Sequence, residues 1–280
     1  APGAGDPDRH TERVEDVAGR RVRDRPLVWG AVAVLAAGAF GVITYGVVHD
    51  SGPALLDGPV YGWVGAHRLG WLTSVLRVAT WLGSGAVLLG VLLVTLVFCG
   101  VRAQRPRRAS MGERPAGPSA PVPGGIQGLA WATAGYAVGW AIRYQVMLAV
   151  HRPRPPAAGW QTPATGWAYP SGHTLNATLG WGLLVTVLVF GARGSSRRRG
   201  RPLWLVLAAA LTALTVAASR VYLGVHWLTD VLGSVTLGVA LLATWVLVGL
   251  AWRRHRHRAV SARPRARSVG TGARRESAVP

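Results

Sequence analysis

Residues Leu203–Trp252 read LWLVLAAALTALTVAASRVYLGVHWLTDVLGSVTLGVALLATWVLVGLAW. Two apolar runs, Leu203–Ala218 and Val231–Trp252, frame a short stretch holding Ser219, Arg220, His226 and Asp230. A membrane-crossing helix needs about 20 mostly apolar residues. The second run meets this, and the first approaches it by extending through Ser219 and Arg220. An arginine ending such a run is costly in a bilayer unless it has a role. The stretch therefore predicts two membrane helices joined by a short loop rich in reactive side chains.

The same pattern recurs outward from it. Leu27–Val48, Leu82–Val101 and Thr174–Ala192 are uncharged apolar runs, and Gly125–Val150 carries one charge, Arg143. The expected fold is all-α, a six-helix transmembrane bundle. Between helices 1 and 2, the segment 57–81 places Val60, Trp63, Val64, His67, Trp71, Val75 and Val78 at spacings that predict an amphipathic helix lying at the membrane interface. Residues 27–252 are then the membrane domain. Residues 1–26, polar and charged and unlike a signal peptide, and residues 253–280, a basic tail, are expected to be disordered and cytoplasmic. Residues 105–124, rich in Pro and Gly, read as a loop.

Charge and composition narrow the partners. The chain has 280 residues, half of them hydrophobic, and a formal net charge of +20. All 31 basic residues are Arg. Such basicity suits nucleic acid or anionic lipid headgroups, and the apolar runs favour a bilayer over nucleic acid. The lone Cys99 excludes an intrachain disulfide or a cysteine-based metal site. The arginines also orient the bundle. The N-terminal segment, the 2–3 and 4–5 connections and the tail hold 25 of them, against five in the segments on the opposite side. Positive charge stays inside, so both termini are expected in the cytoplasm.

Parity then decides where the reactive groups lie. Arg152 and Arg154 follow helix 3, Ser171, Gly172 and His173 open helix 4, and Ser219–Asp230 joins helices 5 and 6. All fall on one side of the membrane, and the arginine bias makes that side extracytoplasmic. His226 and Asp230, four apart, share a helical face. A carboxylate accepting from one imidazole nitrogen fixes the tautomer and frees the other to attack. A plain polar pair at a helix end is the ordinary alternative. Ser171 is placed to cap helix 4, whose first N–H groups suit an anion, and His173 would stand near that anion as a proton donor. Arg154 and Arg220 can each fork onto phosphate oxygens. Headgroup contact is the ordinary reading for Arg152 and Arg154. Trp160, Trp167 and Tyr169 read as an interfacial aromatic belt. No histidine–carboxylate cluster supplies three metal ligands, so neither metal nor cofactor is expected.

Arg154-Pro155, Pro170-Ser171-Gly172-His173 and Ser219-Arg220 through His226 to Asp230 resemble the three signature motifs of the type 2 phosphatidic acid phosphatase family. The resemblance covers roughly residues 27–252 and implies a metal-independent phosphatase acting on a lipid phosphate or diphosphate. Undecaprenyl diphosphate and phosphatidic acid are the substrates it suggests. It implies that His226 is the nucleophile through a phosphohistidine, Asp230 orients it, His173 is the acid, and Arg154, Ser171, Gly172 and Arg220 bind phosphate. One position departs: the family's first motif begins with Lys seven residues before its final Arg, and here that position is Met147. Arg143, one turn deeper, or Arg152 with His151 could take its place. The alternative reading is a lipid-phosphate binding protein with weak or no turnover. Phosphotransfer to an acceptor other than water also fits these residues. Vanadium-dependent haloperoxidases share the motif set, but those are soluble and this chain's apolar runs argue against them.

Overall fold

The computed structural model describes residues 26–104, 125–191 and 202–261. The expected loop 105–124 and most of both tails lie outside them. All regular secondary structure among the described residues is helical, with no strand among them. Helix α1 spans Pro26–Val48, α2 Asp57–Ala66, α3 Gly70–Ala79, α4 Gly85–Gln104 and α5 Gly125–Val150. Helix α6 runs from Gly172 to Gly191 through a π-helical turn at Asn176–Gly180. Helix α7 spans Pro202–Tyr222, and α8 spans Leu228–Ser261, continuing past the end of its apolar run.

Polarity is arranged as a bilayer requires. Large apolar side chains face outward, among them Leu27, Val34 and Leu35 on α1 and Leu203, Leu207 and Leu211 on α7. Polar groups are gathered inside, including Asp57, Thr80, Ser171, Arg220, His226, Thr229 and Asp230. By length and apolarity, four described helices can cross a membrane: α1, α6, α7 and α8. A fifth crossing forms if Gly70–Gly83 and Gly85–Thr95, bent by 54°, act as one broken span. Helix α5 has 26 residues, but Gln127, Arg143 and Gln145 dilute its apolar character. The protein is thus a multi-pass membrane protein.

Two elements differ from the sequence expectation. The run starting at Leu82 does not enter its helix there. Thr80–Gly83 forms a 3-10 turn, Ser84 is extended, and its Oγ accepts from Val87 N at 3.2 Å, so Ser84 caps α4. The segment 57–81 forms two short helices and not one. The chain breaks at 67–69, where Arg68 donates to Tyr222 O (3.1 Å) and Gly159 O (2.8 Å) and the Tyr222 hydroxyl accepts from Leu69 N. Within α2, Val60 and Val64 pack inward against Ala217, Val221 and Val231, while Trp63 points outward.

The core joins α5, α6 and α8 through Ala132, Leu175, Leu179, Leu183, Val187 and Leu237. Small residues let these helices approach closely, as membrane packing favours. Gly182 meets Leu242, Gly238 meets Thr178, and Gly139 meets Leu179. One close approach to backbone near the polar end is at Gly83. A Cβ there would lie 2.6 Å from both the His173 carbonyl oxygen and Val216 Cγ1. The first of these is backbone and cannot rotate aside. Gly83→Ala is therefore expected to cost about 1–3 kcal/mol and to lower the thermal unfolding midpoint in detergent. Gly30→Ala, where nothing lies within 4 Å, should leave that midpoint unchanged.

Candidate active site

The site is built around the N-terminus of α8. Trp227 precedes the helix, and Asp230, three residues on, reaches back so that its Oδ2 accepts from Trp227 N at 2.8 Å. This is the acidic half of a capping box. The same Oδ2 lies 3.3 Å from His226 Nδ1. On the other side of the ring, Arg154 Nη1 lies 3.0 Å from His226 Nε2. A guanidinium only donates, so Nε2 is the acceptor and Nδ1 carries the proton toward Asp230. His226 is 2% exposed and Asp230 fully buried. Burial, with Arg154 and Arg220 nearby, outweighs Asp230 and depresses the His226 pKa to about 4. The imidazole is therefore neutral at physiological pH, with its lone pair on Nε2.

The other expected residues converge on this ring. Arg154 donates to Val225 O (2.8 Å), Gly166 O (2.9 Å), Thr165 O (2.7 Å) and Trp167 O (3.3 Å), clamping the loop after α5 to the loop before α8. Burial lowers its pKa, opposed by Asp230 and reinforced by Arg143. Arg220, 3% exposed, donates from Nη1 to Thr80 Oγ1 at 3.1 Å. Its Nε is buried without a partner among the described residues. His173, in the first turn of α6, lies within electrostatic reach of Arg220, His226, Arg154 and Arg143. Ser171 precedes α6 as expected, but its side chain makes no capping bond. Its Oγ accepts from Thr174 Oγ1 and its backbone N donates to Asp230 O. The first-turn N–H groups of α6, at Gly172 and His173, thus keep the orphan character of a helix start.

The structure separates the candidates for the position of Met147. Arg152 is fully engaged: Nη1 donates to Asp230 Oδ1 (2.7 Å) and Thr229 Oγ1 (2.8 Å), and Nη2 to Asp57 Oδ2 (2.6 Å). His151 stacks edge-on against Trp167, with a ring-centroid distance of 5.0 Å, and is exposed. Arg143 donates from Nε to Pro170 O at 3.1 Å, and its guanidinium carbon would lie 3.4 Å from a Cβ on Gly172. Its side chain therefore rises from α5 to the start of α6.

Two assignments change. Tyr169, read from the sequence as part of an interfacial belt, is fully buried. It stacks on Phe40 and shares a 2.7 Å hydrogen bond with Thr44 Oγ1. Asp57, read as part of an amphipathic helix, is 4% exposed and belongs to the site's framework. Its scarcity was a usable signal: residues 27–252 contain only Asp50, Asp57, Glu113 and Asp230 as acids.

Fold and site together define an all-helical, multi-pass membrane protein with a buried His–Asp pair ringed by arginines. Residues 124–254 match the PAP2 superfamily, and the match contains Arg154-Pro155, Pro170–His173 and Ser219–Asp230, the stretches that carry the motif resemblance. Phosphatidylglycerophosphatase B of Bacillus subtilis is 36% identical over 77 residues, which is 28% of this chain and 36% of the relative. Undecaprenyl-diphosphatase of Sulfolobus acidocaldarius is 36% identical over 74 residues, 26% of this chain and 30% of the relative. The chain thus spans about a third of the length of the curated relatives it matches. In fold it is similar to the crystal structure of a transmembrane PAP2-type phosphatidylglycerolphosphate phosphatase from Bacillus subtilis, with a TM-score of 0.59 at 20% identity, covering 83% of this chain and 98% of that one.

Arg220, with a buried Nε that has no partner among the described residues, should respond to an anion. Inorganic phosphate is expected to raise the thermal unfolding midpoint of the detergent-solubilised protein. At a hundred times its Kd the gain would be about 2.7 kcal/mol. Arg220→Gln should remove most of that shift.

Proposed function

We propose that the chain is an integral membrane phosphatase that hydrolyses a lipid phosphate or diphosphate at the extracytoplasmic face through a phosphohistidine on His226. The observation that carries this is the His226 ring: Nδ1–H held by Asp230, and Nε2 unprotonated and facing Arg154. In the proposed reaction Nε2 attacks phosphorus while the bond to the leaving oxygen breaks. His173 supplies the proton that the leaving lipid alcohol, or lipid monophosphate, requires. The Arg154 N–H that now points at Nε2 is placed to meet a phosphoryl oxygen as attack proceeds. Arg220 and the first N–H groups of α6 take the remaining oxygens, where charge collects in the transition state. Water then attacks phosphorus, His173 accepts its proton, and inorganic phosphate leaves with His226 restored. No step draws on a metal.

Arg143 takes the place that Met147 leaves without a cation in this reading. Its Nε is bound to Pro170 O, no other hydrogen bond holds it among the described residues, and it meets the α6 start where phosphate would sit. The 25-to-5 arginine distribution supports cytoplasmic termini and an outward-facing site. The relatives' names support two substrate classes, phosphatidylglycerophosphate and undecaprenyl diphosphate. Phosphatidic acid presents the same phosphomonoester.

Phosphate release should be measured in detergent with EDTA present, offering undecaprenyl diphosphate, phosphatidic acid and phosphatidylglycerophosphate in parallel. EDTA should leave the rate unchanged, and His226→Ala should lower it by at least about a thousandfold. Absence of release in folded protein that still binds lipid phosphate would establish the binding reading instead. Arg143→Gln should cost about a hundredfold, the effect of one preorganised donor, and adding Met147→Lys to that variant should restore much of the rate.

The pH dependence follows from the ring. His226 faces Asp230, Arg154, Arg220 and His173. Its pKa is depressed, so the attacking neutral form persists down to about pH 4. On the acid side kcat/KM should therefore stay supported by His226 until pH falls through about 4, and then drop about tenfold per unit.

A further inference from the structure

We infer that Asp57, on the short helix between the first two long helices, is a positioning residue for His226, acting through Arg152 and Asp230. The inference rests on the proposed role of His226 as nucleophile. Asp57 Oδ1 accepts from Thr229 N at 2.9 Å, and Oδ2 accepts from Thr229 Oγ1 and from Arg152 Nη2, both at 2.6 Å. Arg152 Nη1 in turn donates to Asp230 Oδ1 at 2.7 Å. Asp230 Oδ2 then holds Trp227 N and His226 Nδ1. A single guanidinium thus spans two buried carboxylates, one arm on each. The path from Asp57 to the attacking imidazole is continuous, and every atom in it is buried or nearly so.

The arrangement divides the charge. With Asp57 in place, one arm of Arg152 is spent on it, and only the other rests on Asp230. Asp230 Oδ2 is left for the histidine and the helix start. If Asp57 loses its charge, Arg152 has one carboxylate left. Its free arm turns toward Asp230 and competes for Oδ2, because a fork facing a lone carboxylate binds it with both arms. His226 Nδ1 then loses part of its acceptor, and Nε2 loses its aim. The phosphate-facing groups Arg154 and Arg220 make no contact with Asp57, so substrate binding is spared.

The test is Asp57→Asn in the full chain in detergent, with phosphatidic acid as substrate. Asn keeps the shape and can still accept from Thr229 N. The expected result is a fall in kcat of about ten- to a hundredfold, the size of one charge-assisted hydrogen bond. KM should change less than about threefold. A purely structural role would lower the unfolding midpoint and the active fraction but leave kcat per active site, counted by the burst of the first turnover, at the wild-type value. Arg152→Lys, which keeps the charge but cannot bridge both carboxylates, should show the same kcat–KM split. It serves if Asp57→Asn does not fold. Wild-type kcat per active site in either folded variant, or a rise in KM that accounts for the loss in kcat/KM, would overturn the inference. Failure of the wild type itself to release phosphate would overturn the phosphatase reading on which it stands.

Discussion

The buried carboxylate of Asp230 is the constraint around which the polar end of this bundle is arranged. An ionised carboxylate without exposure is tolerated only when paired and hydrogen-bonded. Here Arg152, Trp227 N and His226 fill its lone pairs. Satisfying Asp230 fixes three further things at once. It starts α8, it holds the loop after α5 against that start through Arg152, and it orients the histidine. Removing one partner would leave a charge stranded, which is why the group behaves as a unit.

Around this neutralised centre lies an excess of positive charge. Asp57 and Asp230 are already shared with Arg152 and His226. Arg154, Arg220 and Arg143 therefore surround His173 and His226 without a carboxylate of their own. Such a cluster in an apolar bundle is expensive, and a bound phosphoryl group would relieve it in the proposed reading. Arg154 donates to backbone carbonyls and Arg220 to Thr80, and the Arg220 Nε has no partner among the described residues.

Much of this was legible in the chain. The apolar runs announced a helical membrane protein because a bilayer demands uninterrupted apolar length. The pairing of His226 and Asp230 was legible in their spacing, but not its form: His226 precedes α8, and Asp230 reaches back to it across the capped helix start and not along a helical face. Parity alone brought Arg154, His173 and His226 to one side. What stayed hidden depended on tertiary contact. Asp57 looked like no more than the start of an interfacial helix, but α2 sets it against Thr229 and Arg152. Tyr169 looked interfacial by residue type, yet its hydroxyl finds Thr44 and lets it go inside. The break at 67–69 comes from Arg68 reaching Tyr222 O and Gly159 O, partners distant in sequence. That Arg152 is paired with two carboxylates, while Arg143 hydrogen-bonds only the Pro170 carbonyl among the described residues, likewise depended on tertiary contact.

The central claim is that Nε2 of His226 carries the phosphoryl group during turnover. The most direct test is rapid alkaline quench of the protein during turnover of phosphatidic acid, followed by mass-spectrometric mapping of the modified peptide. The account predicts an acid-labile phosphoryl group on His226. It should form at a rate no slower than turnover and be absent from Asp230→Asn. Turnover that proceeds with no phosphoryl group on His226, or with the group on another residue, would contradict it.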